Sequence, residues 1–147
     1  MDYPGLFQPG FYDISLDEFN KAFVEPFQDS ERRTYLSNRF FALIDKFKEI
    51  GISAEIWIDG SFATKKPNPG DIDMIFFVNP EQLDNLSLEK KEIIIELNKR
   101  EISKIRYQCD VFIIPNNDYN NRSYWRGWFG FSRDESPKGI ARIFLEN

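Results

Sequence analysis

Two rhythms of apolar and polar positions run along this chain. In the first, Leu36, Phe40, Leu43, Phe47 and Ile50 recur at spacings of four, three, four and three. That is the one-sided stripe of a long amphipathic helix. Asp29 or Ser30 opens it and Gly51 closes it. Arg32, Arg33, Arg39, Lys46 and Lys48 fall mostly off the stripe and read as its solvated face. Upstream, Ser15-Leu16-Asp17-Glu18 has the form of a capping box. It predicts a short helix to about Val24 or Glu25, with Leu16, Phe19 and Phe23 inward and Pro26 as the stop. Residues 1–14 mix Pro4, Gly5, Pro9 and Gly10 with Tyr and Phe, and predict an irregular arm that lays aromatics on the body.

The second is a series of short apolar runs bounded by polar, glycine and proline residues, which read as strands. It predicts strands over 54–59 and 72–78, the latter stopped by Asn79-Pro80. A turn of helix over 80–84 follows, then a helix over 88–99 capped by Ser87, with Leu88, Ile94, Ile95 and Leu97 apolar. A third strand is predicted over 106–114, ended by Pro115, and a polar loop over 116–121. The segment 124–131 is aromatic and glycine-rich, 134–139 is a strong turn signal, and 140–145 reads as a last strand. Together they predict a C-terminal β-hairpin. The expected fold is a single α+β domain over 1–147, a mixed β-sheet flanked by helices, with two N-terminal helices and that hairpin.

Composition narrows the chemistry. The 147 residues include 15 Phe, 6 Tyr and 3 Trp, which suit a well-filled core. There is no histidine, so imidazole acid–base catalysis, His-dependent triads and histidine zinc sites are excluded. Any metal must be held by oxygen, which points to Mg²⁺ or Mn²⁺. The single cysteine, Cys109, lies in an apolar run and reads as a buried, inert thiol. A net charge of −5 argues against a general nucleic-acid coat. No apolar run approaches the roughly 20 residues of a membrane span. The N-terminus lacks the basic start and apolar stretch of a signal peptide, so a cytoplasmic location is expected.

The candidate chemistry lies around the first two strands. Asp71 and Asp73 are two apart, so both project from one strand face. Two carboxylates at the mouth of an apolar strand are costly unless a cation holds them. A divalent metal is the natural candidate. Just upstream, Gly60-Ser61 offers backbone N–H groups and a hydroxyl suited to phosphate. Asp110 lies on a later strand, and a strand–helix–strand unit can bring it beside the pair. Three carboxylates arranged so can hold two divalent ions about 3.5–4 Å apart for phosphoryl or nucleotidyl transfer. Asp-X-Asp alone is a weak signal, since glycosyltransferases use the same spacing. The blander alternative is two solvated aspartates at a strand start.

Gly60-Ser61, nine residues, Asp71-Ile72-Asp73 with apolar strand residues after it, and then Asp110 resemble the nucleotidyltransferase superfamily of the DNA-polymerase-beta type. The resemblance is closest to its small bacterial members, including antitoxin-like ones, and covers about 55–114. It implies a mixed sheet flanked by helices. It also implies that Asp71, Asp73 and Asp110 are the catalytic, metal-binding carboxylates, with Mg²⁺ or Mn²⁺ as cofactor. Gly60 and Ser61 would hold the phosphates of a nucleoside triphosphate. The implied reaction moves a nucleoside monophosphate to a hydroxyl on a protein, an RNA end or a small molecule. The alternative is an antitoxin-like or regulatory module that keeps the fold and acts by contact with a toxin-like protein partner.

Other residues offer less specific signals. Lys65 and Lys66, between Ser61 and Asp71, can reach a triphosphate or simply be a solvated loop. Arg126, Arg133 and Lys138 flank the expected hairpin, where a cation would help a leaving pyrophosphate; surface charge is the simpler reading. Trp125 and Trp128 can stack on a base, although capping a core edge comes first.

Overall fold

A computed structural model describes residues 3–27, 30–131 and 137–146. Strand β1 (Gly10–Asp13) leads to a single 3-10 turn and helix α1 (Phe19–Phe23). The capping box forms as expected: the Ser15 hydroxyl accepts from the Glu18 N–H, and Glu18 accepts from the Ser15 N–H. Helix α2 (Glu31–Ile50) is capped by Ser30 and ends on Gly51 at φ 87, a left-handed conformation that glycine adopts without strain. Asp29 lies outside the described residues. The whole predicted stripe of α2 is buried. Strands β2 (Ala54–Asp59) and β3 (Ile72–Val78) have their expected bounds, followed by α3 (Pro80–Asp84) and α4 (Leu88–Leu97).

The sheet has the order β1-β5-β2-β3-β4, with β4 (Cys109–Pro115) and β5 (Gly139–Leu145) as the later strands. The outer pairs, β1–β5 and β3–β4, are parallel; β5–β2 and β2–β3 are antiparallel. Strand alternation divides the side chains between two faces. One face carries Ile56, Ile58, Met74, Phe76, Val111 and Ile143 and packs under α1, α2 and α4 through Phe19, Phe40, Leu43, Phe47 and Leu97. The other carries Trp57, Ile75, Phe77 and Ile140 and is covered by Phe129 and Trp125. The fold is therefore α+β with a mixed five-stranded sheet.

Three expectations are corrected. The N-terminal arm is not wholly irregular, because Gly10–Asp13 pairs in parallel with Gly139–Arg142. The third strand begins at Cys109 rather than Arg106, because Arg100–Tyr107 forms helix α5 and Gln108 ends it at φ 55. Ile102, Ser103 and Tyr107 turn inward there, a helical spacing that the aromatic and β-branched residues of 106–114 masked. Among the described residues the expected C-terminal hairpin is reduced to a single antiparallel bridge between Phe131 and Pro137. Tyr119–Phe129 is helix α6, capped by the Asp118 side chain, and Arg122, Trp125 and Phe129 face inward at spacings of three and four. Strand β5 pairs instead with β2 and β1. The expected turn residues Asp134, Glu135 and Ser136, and the candidate Arg133, lie outside the described residues.

Candidate active site

The register of three strands builds the site. Asp59 on β2 pairs with Asp73 on β3, and Asp73 pairs with Asp110 on β4. Paired residues share a face, so three carboxylates stand side by side across the sheet, at the edge of the α6-covered face. Asp71 joins them from just before β3. Asp110 thus stands next to Asp73, as expected, but at the start of its strand rather than the middle. Asp59 is the member that sequence reasoning missed. The period-two count in β2 offered a signal, since it puts Asp59 on the same face as Trp57.

Crowded, partly buried carboxylates disfavour their own charge. Asp73 is pushed up to about 7, chiefly by burial and then by the neighbouring charges of Asp71 and Asp110. Burial also raises Asp59 to about 7, against the pull of Lys138. Cations compensate part of the cluster. Lys138 Nζ lies 3.0 Å from Asp59 Oδ1, and Lys104 Nζ 3.4 Å from Asp71 Oδ2. Arg100 grips Asp110 through two bonds, Nε to Oδ1 at 2.7 Å and Nη2 to Oδ2 at 2.6 Å. That bidentate pairing raises the Arg100 pKa. Burial and these carboxylates push the Cys109 thiol up, so it is an inert thiol as expected.

A cavity of about 500 Å³ opens in front of the carboxylates. Asp59, Asp71 and Asp73 line it together with Gly60, Ser61, Thr64 and Lys66. Trp125, Trp128 and Phe129 of α6 line the same cavity, as does Lys138. The Gly60-Ser61 turn presses directly on the cluster. Gly60 has φ 74, and a Cβ there would sit 2.0 Å from Asp73 Oδ2. Only glycine lets the turn approach the carboxylate this closely. Of the expected phosphate-side residues, Gly60, Ser61 and Lys66 line the cavity, whereas Lys65 is exposed outside it. Asp110 does not line it either. Arg126 packs over the Phe11 ring, 5.2 Å from its centroid, and does not line this cavity.

The loop between β2 and β3 is held by α2. Arg33 is fully buried, not solvated as expected for its helix face. Its guanidinium donates to the carbonyls of Phe23, Phe62, Thr64 and Lys66, and lies 3.6 Å from the Phe27 ring centroid. Burial lowers its pKa to about 10. Arg32 donates to the carbonyls of Pro69 and Gly70 at the far end of the loop. Position 33 is three residues before Leu36, so the helical period itself placed it on the buried face.

A hard divalent ion fits the donor chemistry, which is carboxylate oxygen throughout. The raised pKa values come first from burial and then from neighbouring carboxylates, and a bound cation would favour the charged forms against both. The arrangement fits less completely. Among the described residues no three acidic or thiol side chains stand as a ready metal cluster. Asp110 enters a ligand set only when released by Arg100.

The chain belongs to DUF6932, a family of unknown function whose pattern matches residues 1–144. No curated protein and no solved structure matches it. Among the described residues, no helix is long and apolar enough to cross a membrane.

Proposed function

We propose that this member of the DUF6932 family is a metal-dependent nucleotidyltransferase, built on a nucleotidyltransferase-type sheet and acting in the cytoplasm. It moves a nucleoside monophosphate from a nucleoside triphosphate to a hydroxyl acceptor. The observation that carries the reading is the alignment of Asp73 with Asp110 beside Asp71, with the Gly60-Ser61 turn packed on Asp73. Mg²⁺ or Mn²⁺, when bound, supplies charge neutralisation at the triphosphate and acidifies the acceptor hydroxyl. Asp71 and Asp73 would hold it, and Asp110 would be the third carboxylate once free of Arg100. Gly60 and Ser61 face the phosphates, and Lys66 and Lys138, which line the same cavity, balance their charge. Rigid placement of these groups by β2, β3 and α2 supplies orientation.

The test is incubation with labelled triphosphates and a lysate as the source of acceptors, comparing wild type with Asp71→Ala/Asp73→Ala. Wild type is expected to transfer label to a product, with the double variant at background. Equal transfer by the two proteins, across all four nucleotides, removes the enzyme reading.

A second reading has its own observation. Arg100 and Lys104 already neutralise Asp110 and Asp71, as they would in a fold that works by contact. The protein is then an antitoxin-like or regulatory module. Its partner would co-purify equally with wild type and with Asp71→Ala/Asp73→Ala, and loss of the partner with that variant counts against it.

A further inference from the structure

We propose that the exposed indole of Trp128 is the stacking platform for the base of a nucleoside triphosphate, whose phosphates lie on the Ser61–Lys66 side of the same cavity. The inference rests on the nucleotidyl-transfer reading and adds the part of the substrate that the carboxylates do not touch. The cavity is lined by two unlike kinds of group: Ser61, Lys66, Asp71 and Asp73 are polar, and Trp125 and Trp128 are aromatic. A ligand matching both carries an anionic end and a flat ring. A volume of about 500 Å³ admits one molecule of that size.

The two tryptophans are not equivalent. Trp125 caps the core: its ring lies 4.7 Å from Phe112 and 5.6 Å from Phe129, and it packs on the sheet. With that edge closed, Trp128 is left 62% exposed and belongs to neither core cluster. Its nearest ring partner is Tyr124, at 6.4 Å between centroids. The indole N–H donates to the Tyr124 hydroxyl, which fixes the ring's orientation. An indole held in place, lining a cavity and unused by the core, is pre-organised to stack. Stacking on a π-face tolerates any base, so the platform provides affinity for nucleosides in general.

The test is calorimetric titration in Mg²⁺ with ATP, UTP and inorganic triphosphate, on wild type, Trp128→Ala and Trp128→Phe. Wild type and Trp128→Phe are expected to bind the nucleotides about tenfold more tightly than inorganic triphosphate, the scale of one stacked base. Trp128→Ala is expected to lose that preference while its affinity for inorganic triphosphate is unchanged. Tryptophan emission should be quenched by the nucleotides and not by inorganic triphosphate, with the quench reduced in Trp128→Phe. Inorganic triphosphate bound as tightly as ATP by wild type, or a preference surviving in Trp128→Ala, overturns the platform and leaves the transfer reading standing. If no protein binds either ligand, both fall.

Discussion

At the scale of the residue, the cluster is defined by charge that the fold holds at a cost. Asp73 titrates near 7 in the folded chain, against an ordinary value of 3.8. In the metal-free protein, only the folded state holds this proton between those two values. Unfolding then releases it, so stability falls as pH rises from about 4 to about 7 and stays low above that. The full contribution is up to about 4 kcal/mol for Asp73, at about 1.4 kcal/mol per pKa unit. Asp59 adds a second contribution of the same sign. Urea unfolding in EDTA is expected to show lower stability at pH 8 than at pH 5, with about half of that slope removed in Asp73→Asn. An unchanged slope in the variant would mean that Asp73 is not the strained carboxylate. Much of this site could be read residue by residue. Asp71, Asp73, Gly60 and Ser61 stand within one short stretch, and their relation follows from strand alternation and a turn. Asp59 escaped notice because a single aspartate at a strand end has no local partner; its partners are on β3 and β5's flank.

At the scale of the element, α2, β2, β3 and α4 were legible because their signals are repeated. Five stripe positions, or an apolar run closed at its end by a turn signal, leave little room for another structure. Helix α6 was not, because Tyr124, Trp125, Gly127, Trp128 and Gly130 have the composition of a hairpin. The deciding signal was Arg122, Trp125 and Phe129 at helical spacing on the sheet. The helix makes its own prediction. Gly127 lies inside α6 without positive φ, and a Cβ there meets nothing within 4 Å. Gly127→Ala is expected to stabilise the protein by about 0.5–1 kcal/mol in urea unfolding, the helix-propensity difference. A destabilised variant would argue against helical backbone at this position. Arg33 shows the opposite difficulty. Its position on the buried face was legible, but its partners are carbonyls in two other segments, and no pattern within α2 announces them.

At the scale of the whole molecule, the sheet is completed by the segment that looked least structured. Strand β1 pairs along β5, and Phe7 packs between Tyr12 and Phe23, at 5.1 and 5.8 Å between ring centroids. Phe11 lies over Trp57 at 4.9 Å. Deleting residues 1–13 removes these contacts and bares the β5 edge. The deletion is expected to cost at least about 3 kcal/mol, the scale of losing one buried Phe. It should also promote self-association through the open edge, read by chemical denaturation and size-exclusion chromatography. A truncated protein that unfolds like wild type and stays monomeric would show that β1 is dispensable.

What the sequence determined by itself was local: the stripe of α2, the apolar runs of β2 and β3, the carboxylate pair and its glycine turn. Without histidine, it also limited the chemistry of any metal to oxygen ligands. Each of these rests on neighbours within a few residues, where backbone geometry alone fixes which side chains meet. Only the tertiary structure decided that Asp59, Asp73 and Asp110 form one row, that Arg100, Lys104 and Lys138 each face a carboxylate, and that Trp128 and Ser61 line one cavity. Those relations depend on strand register and on where α5 and α6 dock. Both are set by hydrogen bonding and packing between segments far apart in the chain, for which no local periodicity exists.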